Sequence, residues 1–217
     1  MQPAYAKMLR EFADKHGVVL IFDEVASFRV HYHGAQALVG VEPDLTTFGK
    51  IIGGGMPVGA VGGSREVMSV FDPTSGSPLA AHGGTFNGNP MTMAAGAASM
   101  RLLTEEAMSA LNAVSDHART RLNEAFERAG VDGQATGVGS LVKIHLNKRT
   151  LVNHRNVFAS SRENQLTTQM HRGLLDHGFI LGSSCLSAIS TANTKEEVDA
   201  LADAVEDIAK GFRLNEE

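Results

Sequence analysis

The run Gly17-Val-Val-Leu-Ile-Phe22 is apolar throughout and closes on a carboxylate, Asp23. A strand on a half-wet sheet alternates apolar and polar residues. An unbroken β-rich run of this length suits instead a parallel strand covered on both faces. Residues 4–16 read as a helix, with Met8, Leu9 and Phe12 on one face and Gly17 at its C-cap. A helix followed by a buried strand is α/β grammar. Open α/β sheets place ligands at the C-terminal ends of their strands, which is where Asp23 falls.

The next element pattern carries a lysine. Asp44 to Phe48 reads as a short strand leading into Gly49-Lys50-Ile-Ile-Gly-Gly-Gly55. A lysine flanked by Phe48, Ile51 and Ile52 is expected to be partly buried, which lowers the cost of its neutral form. Pyridoxal phosphate chemistry needs these two functions together. A lysine amine makes a Schiff base with the cofactor aldehyde, and a carboxylate keeps the pyridine nitrogen protonated so that the ring accepts electrons.

Further along, Ala60-Val-Gly-Gly63 reads as a strand and Ser64 as the cap of a short helix through Val70. Residues 72–84 are rich in Pro, Gly and Ser and read as a long loop. Asn89-Pro90 opens a helix to Leu103, with Asn at the N-cap and Pro at N1. A second helix spans 105–129 and ends at Gly130. Residues 140–146 alternate as a half-buried strand does, and 147–160 are polar without clear periodicity. The remainder reads as a helix over 165–177, a strand over 178–181 and a helix over 194–212, with Thr194-Lys-Glu-Glu197 at capping-box spacing. Two domains are expected, 1–110 and 111–217.

Composition narrows the partners. The chain has 217 residues, 43% hydrophobic and 20% charged, enough for one large or two small domains. A net charge of −5 without a basic stripe argues against nucleic acid. No apolar run approaches the roughly 20 residues of a membrane span. The N-terminus lacks the pattern of a signal peptide, and the single cysteine, Cys185, cannot pair internally; both point to the cytoplasm. The glycine run is not a dinucleotide fingerprint, because Val58 stands where the third glycine is needed. Gly49-Lys50 is not a P-loop either, with Ile51 in place of Ser/Thr and Asp44 in place of the first Gly. His31 and His33 alternate around Tyr32 without the carboxylates or cysteine of a metal site, so no metal is expected. Arg29 is expected to pair with a local acid such as Glu24, and Cys185 to be inert.

Five segments carry a resemblance: Phe22-Asp-Glu-Val25, Gly34-Ala-Gln36, Pro43-Asp-Leu-Thr-Thr-Phe-Gly-Lys50, Gly53-Gly-Gly-Met-Pro-Val-Gly-Ala60 and Gly83-Gly-Thr-Phe-Asn-Gly-Asn-Pro90. Together they resemble class III pyridoxal phosphate-dependent aminotransferases, most closely the glutamate-1-semialdehyde 2,1-aminomutase branch. The resemblance is dense over 17–100 and looser beyond. It implies fold type I, with part of the large-domain sheet followed by a C-terminal small α/β domain. It also implies a homodimer with sites at the subunit interface, acting on an amino acid or amino-aldehyde. By the same resemblance Asp23 pairs with the pyridine nitrogen, Val25 packs on a ring face, and Lys50 forms the Schiff base and moves protons. Thr85 binds the cofactor phosphate of the other subunit. Its place in a glycine-rich loop ahead of a helix agrees, since such loops offer free N–H groups to anions.

The chain departs from the pattern in three places. It matches only the C-terminal half of a family member, so the family's same-subunit phosphate segment and stacking aromatic are expected to be missing. Ala26-Ser-Phe-Arg29 is one residue shorter than the aminomutases' usual Met-Thr-Gly-Phe-Arg. Ser183-Ser-Cys-Leu-Ser187 has no acid where aminomutases usually carry a glutamate, which weakens the mutase assignment relative to a plain aminotransferase. The aminomutase-like reading is kept first, and a class III transaminase acting between two substrates is its alternative. The rival from another class is a catalytically incomplete chain that binds a full-length partner.

Overall fold

The computed structural model describes residues 1–74 and 76–213, and the chain divides into two units, Met1–Met108 and Ser109–Glu217. The first unit opens with helix α1, Pro3–His16. It has Pro in its first turn, and Gly17 closes it in the left-handed region at φ 62°, its N–H bonded to the Ala13 carbonyl. The buried face of α1 is that of Ala6 and Ala13. Met8 and Phe12, which share the apolar face read from the sequence, are about half exposed.

Strand β1 is Ile21–Asp23, shorter than the apolar run that precedes it. It pairs in parallel with β2, Leu45–Gly49, which pairs antiparallel with β3, Gly59–Gly63, in the order β1-β2-β3. β1 is therefore an edge strand. The expected cover on both faces is not met: Phe22 is buried, while Val18, Val19 and Ile21 stay about half exposed. Phe22 packs with Ala6 and Val41, against Leu20 and Val39.

Asp44 ties these pieces together. Its carboxylate accepts from the Leu20 N–H at 2.7 Å and from Arg10 at 3.0 Å, so it joins α1 to both strands. The Leu20 N–H, then Arg10, holds this carboxyl below the usual range. Between the strands lies the short helix α2, Ala35–Val39. After β3, Ser64 caps α3, Arg65–Met68, by accepting from the Val67 N–H. Asn89 caps α4, Pro90–Leu102, by accepting from the Met91 and Thr92 N–H groups.

In the second unit α5, Glu105–Ala129, leads into an antiparallel sheet of β4 (Gln134–Thr136), β5 (Leu141–His145) and β6 (Leu186–Ala188). A short α6, His154–Val157, precedes α7, Ser161–Asp176, and α8, Lys195–Arg213, follows. Leu122, Phe126, Ile144, Met170, Leu174 and Val205 are almost wholly buried. Residues 178–181, read from the sequence as a strand, form none. The strand falls instead at Leu186–Ala188, after a left-handed turn at Cys185 (φ 54°). Arg121 on α5 reaches Asp199 on α8 at 2.7 Å, and His117 reaches the same carboxylate at 2.9 Å. No helix among the described residues is long and apolar enough to cross a membrane.

Candidate active site

Asp23 ends β1 directly opposite Thr47 of β2. One carboxylate oxygen, Oδ1, accepts from the Val25 N–H at 3.0 Å and from the Thr47 hydroxyl at 3.3 Å. Two donors on one oxygen fix the plane of the carboxylate and leave Oδ2 clear of both. The next residue, Glu24, is only 1% exposed. Its carboxylate accepts from the Ala35 and Gln36 N–H groups at 2.7 and 2.8 Å and from the Ser27 hydroxyl at 3.2 Å. A buried charge is tolerated when donors surround it in this way. Gly34 is required beside it, because a Cβ there would lie 2.8 Å from Glu24 Oε1. Glu24 thus anchors the loop after β1 from inside, while Asp23 remains exposed.

Lys50 follows β2 immediately and opens the 3-10 turn Lys50–Gly53. Its backbone is left-handed at φ 49°, one of two such non-glycine residues among those described. Val25 Cγ1 stands 3.1 Å from where a Cβ on Gly49 would be, so Val25 packs against the residue before Lys50. Asp23, Val25 and Lys50 therefore gather at the C-terminal end of the parallel pair. Lys50 itself is exposed, against the expected partial burial. Its apolar neighbours Phe48, Ile51 and Ile52 are half-buried and do not enclose it. Phe48 instead meets Phe28 edge-on at 5.3 Å.

Thr85 is exposed in the loop before α4, apart from that cluster. The loop is closed by turns, Asn87 N–H to Gly84 O at 3.0 Å and Asn89 N–H to Phe86 O at 3.2 Å. Beside it lies an open cavity of about 980 Å³ lined by β3, Phe71, His82, Phe86, Asn87 and Thr92. His82 meets Phe71 edge-on at 5.4 Å. Arg29 is partly desolvated, which lowers its pKa from the ordinary value. It borders a cavity of about 380 Å³ with Phe28, Tyr32, Ile51, Met100 and Met108. Among the described residues no cluster of three His, Cys, Asp or Glu could hold a metal ion. The sequence reading had no role for Thr47 or for the Glu24 brace. The signal for Thr47 was a hydroxyl at the strand position facing Asp23, visible only once the register of the two strands is known.

A carboxylate, an apolar side chain and a lysine thus meet at the C-terminal ends of two parallel strands in an α/β fold. The family model of aminotransferase class-III matches residues 1–208, and the chain belongs to that family of pyridoxal phosphate enzymes. It is 39% identical over 212 residues to a glutamate-1-semialdehyde 2,1-aminomutase of Desulforapulum autotrophicum, covering 96% of this chain and 48% of that protein. Among solved structures it is similar to an omega-transaminase from Sphaerobacter thermophilus, with a TM-score of 0.95 and 47% identity over 98% of this chain and 48% of that one. A transaminase with pyridoxal phosphate bound gives a TM-score of 0.89 at 39% identity, covering 99% of this chain and 49% of that one. The chain spans about half the length of the relatives it matches. The fold is that of fold type I in the part it covers.

Proposed function

We propose that this chain supplies the lysine and carboxylate half of a pyridoxal phosphate site for amino-group transfer, most closely that of a transaminase acting on an amino acid or amine. The observation that carries the reading is the junction of an oriented Asp23 with Lys50 across one parallel strand pair. The residues fit the group: Asp23 is a fixed acceptor for a ring N–H, Val25 an apolar surface, and Lys50 a primary amine. When bound, pyridoxal phosphate supplies an electron sink that lowers the barrier to breaking bonds at a substrate carbon. Asp23 would hold a proton at the ring nitrogen. Lys50 Nζ would be the amine that holds the cofactor, and it would move a proton at the substrate carbon. Thr85, with its loop N–H groups, would hold the phosphate in the partner subunit of a homodimer.

A transaminase is favoured over a mutase by the absence of an acid in Ser183–Ser187 and by 47% identity to the omega-transaminase. The aminomutase reading stands second, on 39% identity over nearly the whole chain. Once the chain is assembled with the rest of the site, turnover that requires an added keto acid marks a transaminase, and turnover without one marks a mutase.

The site itself is tested by adding pyridoxal phosphate to the chain, reducing with borohydride and mapping the modified peptides. A reducible adduct on Lys50, lost in Lys50→Ala, is expected. Adducts spread evenly over surface lysines such as Lys7, Lys148 and Lys210 would overturn the assignment.

A further inference from the structure

We propose that helix α4 sets the backbone of Lys50, with Gly96 as the positioning residue; this rests on the reading of Lys50 as the reactive lysine. The turn after Lys50 lies backbone to backbone against α4. A Cβ on Gly96 would sit 2.3 Å from the Ile52 carbonyl oxygen, and one on Gly54 would sit 2.3 Å from the Ala95 carbonyl oxygen. Real side chains do not approach backbone so closely, so both contacts exist only because both residues are glycine. Nearby, Thr92 of α4, itself buried, donates its hydroxyl to the Pro57 carbonyl at 3.4 Å.

The other side of Lys50 is fixed as well. Gly49 ends β2 in register with Gly59 and lies against Val25, with Val58 O also within 3.4 Å of its Cβ position. The strand is pinned by the sheet and the turn by α4. The change of direction between them falls on the single residue Lys50, whose φ of 49° is the left-handed region that a lysine side chain disfavours. Strain held at one residue by a rigid surround aims that residue in one direction. Gly96 touches no reacting atom. It fixes the point from which the Lys50 side chain departs.

The test compares Lys50→Gly with Lys50→Ala in the otherwise unchanged chain by thermal unfolding. Glycine accepts a left-handed φ and alanine does not, so Lys50→Gly is expected to melt about 2–4 °C above Lys50→Ala. In a Gly96→Ala background the turn is pushed off α4 and Lys50 is free to relax. The difference is then expected to vanish or change sign. A merely destabilising effect of Gly96→Ala would lower both melting points and leave their difference intact, and that result would overturn the proposal. So would the absence of any difference in the parent chain. Should Gly96→Ala fail to melt cooperatively, Gly54→Ala, which obstructs the same contact from the other side, is read in its place.

The borohydride map is independent of this cycle. No adduct on Lys50, with the cycle as expected, removes the cofactor reading and leaves the clamp standing. An adduct on Lys50 with an unchanged difference in both backgrounds removes the clamp and keeps the site.

Discussion

Asp23 shows how a residue of ordinary type becomes directional. Its Oδ1 receives the Val25 N–H and the Thr47 hydroxyl, and the second donor comes from a different strand. Thr47→Val removes one of the two restraints, while Thr47→Ser keeps it. The yield of Lys50 adduct at fixed pyridoxal phosphate concentration is expected to fall several-fold in the first and to be restored in the second; equal yields would mean that the hydroxyl orients nothing. Cys185 shows the opposite case. Burial pushes its thiol up to about 11, and its Sγ faces the Thr167 carbonyl at 3.6 Å. At pH 8 its reaction with a disulfide reagent is expected to run about two orders of magnitude slower than for an unfolded cysteine, recovering in denaturant. Fast labelling of the native chain would show that the thiol is open. The sequence expectation that Cys185 has no chemistry agrees with its burial. The exposure of Lys50 was not legible, because local apolar neighbours do not reveal which side of a turn faces solvent.

The long helices were the most legible elements, since caps and period announce them; the short α2 and α6 were not legible, and α7 begins at Ser161, before the start that its sequence suggested. Asn89 and Thr194 cap where the sequence placed them. The Thr194 hydroxyl accepts from the Glu197 N–H at 3.2 Å, and the Glu197 carboxylate accepts from the Thr194 N–H at 3.0 Å. Asn89→Ala is expected to lower stability by about 1 kcal/mol, measured by denaturant unfolding. Leu174, wholly buried on α7, is expected to cost about 2–5 kcal/mol as Leu174→Ala. The strands were harder to read. β4 and β6 have three residues each, too short to show a period of two. Residues 178–181 have strand composition, but they lie before the turn at Cys185 and pair with nothing in the sheet. His145 on β5 is buried, with Thr136 at 3.0 Å from its Nε2, and desolvation depresses its pKa below 6.5. A depressed folded-state pKa favours the neutral ring. His145 therefore contributes stability above pH 6.5, and that contribution is lost as the pH falls through the folded-state value. The melting point of the wild type is expected to drop faster below pH 6.5 than that of His145→Gln; parallel curves would contradict this.

At the scale of the whole chain, the sheet of the first unit ends on an open edge. β1 is an unpaired parallel edge with Val18, Val19 and Ile21 open beside it, and Tyr5, Met8 and Phe12 of α1 are open as well. Exposed edges and apolar faces recruit other chains. Light scattering at micromolar concentration is expected to show dimers or larger species, and turnover by this chain alone is expected to be absent; a strictly monomeric chain with tight pyridoxal phosphate binding would refute both. The family was legible in the sequence because it sits in contiguous motifs, and the same motifs bring Asp23 and Lys50 to the ends of paired strands. The open face of α1 was not legible. Met8 and Phe12 have the spacing of a buried stripe, and only the structure shows that Ala6 and Ala13 face the core.

The Asp44 junction has a consequence in time. β1 and β2 are parallel, so the residues that pair, Ile21 with Leu45, are separated by a whole loop whose closure must precede any reward from the sheet. Asp44 sits at the closing point, where it takes the Leu20 N–H and Arg10 and, through its carbonyl, the Ser64 N–H. Its bonds belong to the moment when the loop shuts. Asp44→Asn should therefore slow folding of the first unit more than it speeds unfolding, marking this residue as part of the nucleus on which the end of the sheet that carries Asp23 and Lys50 is assembled.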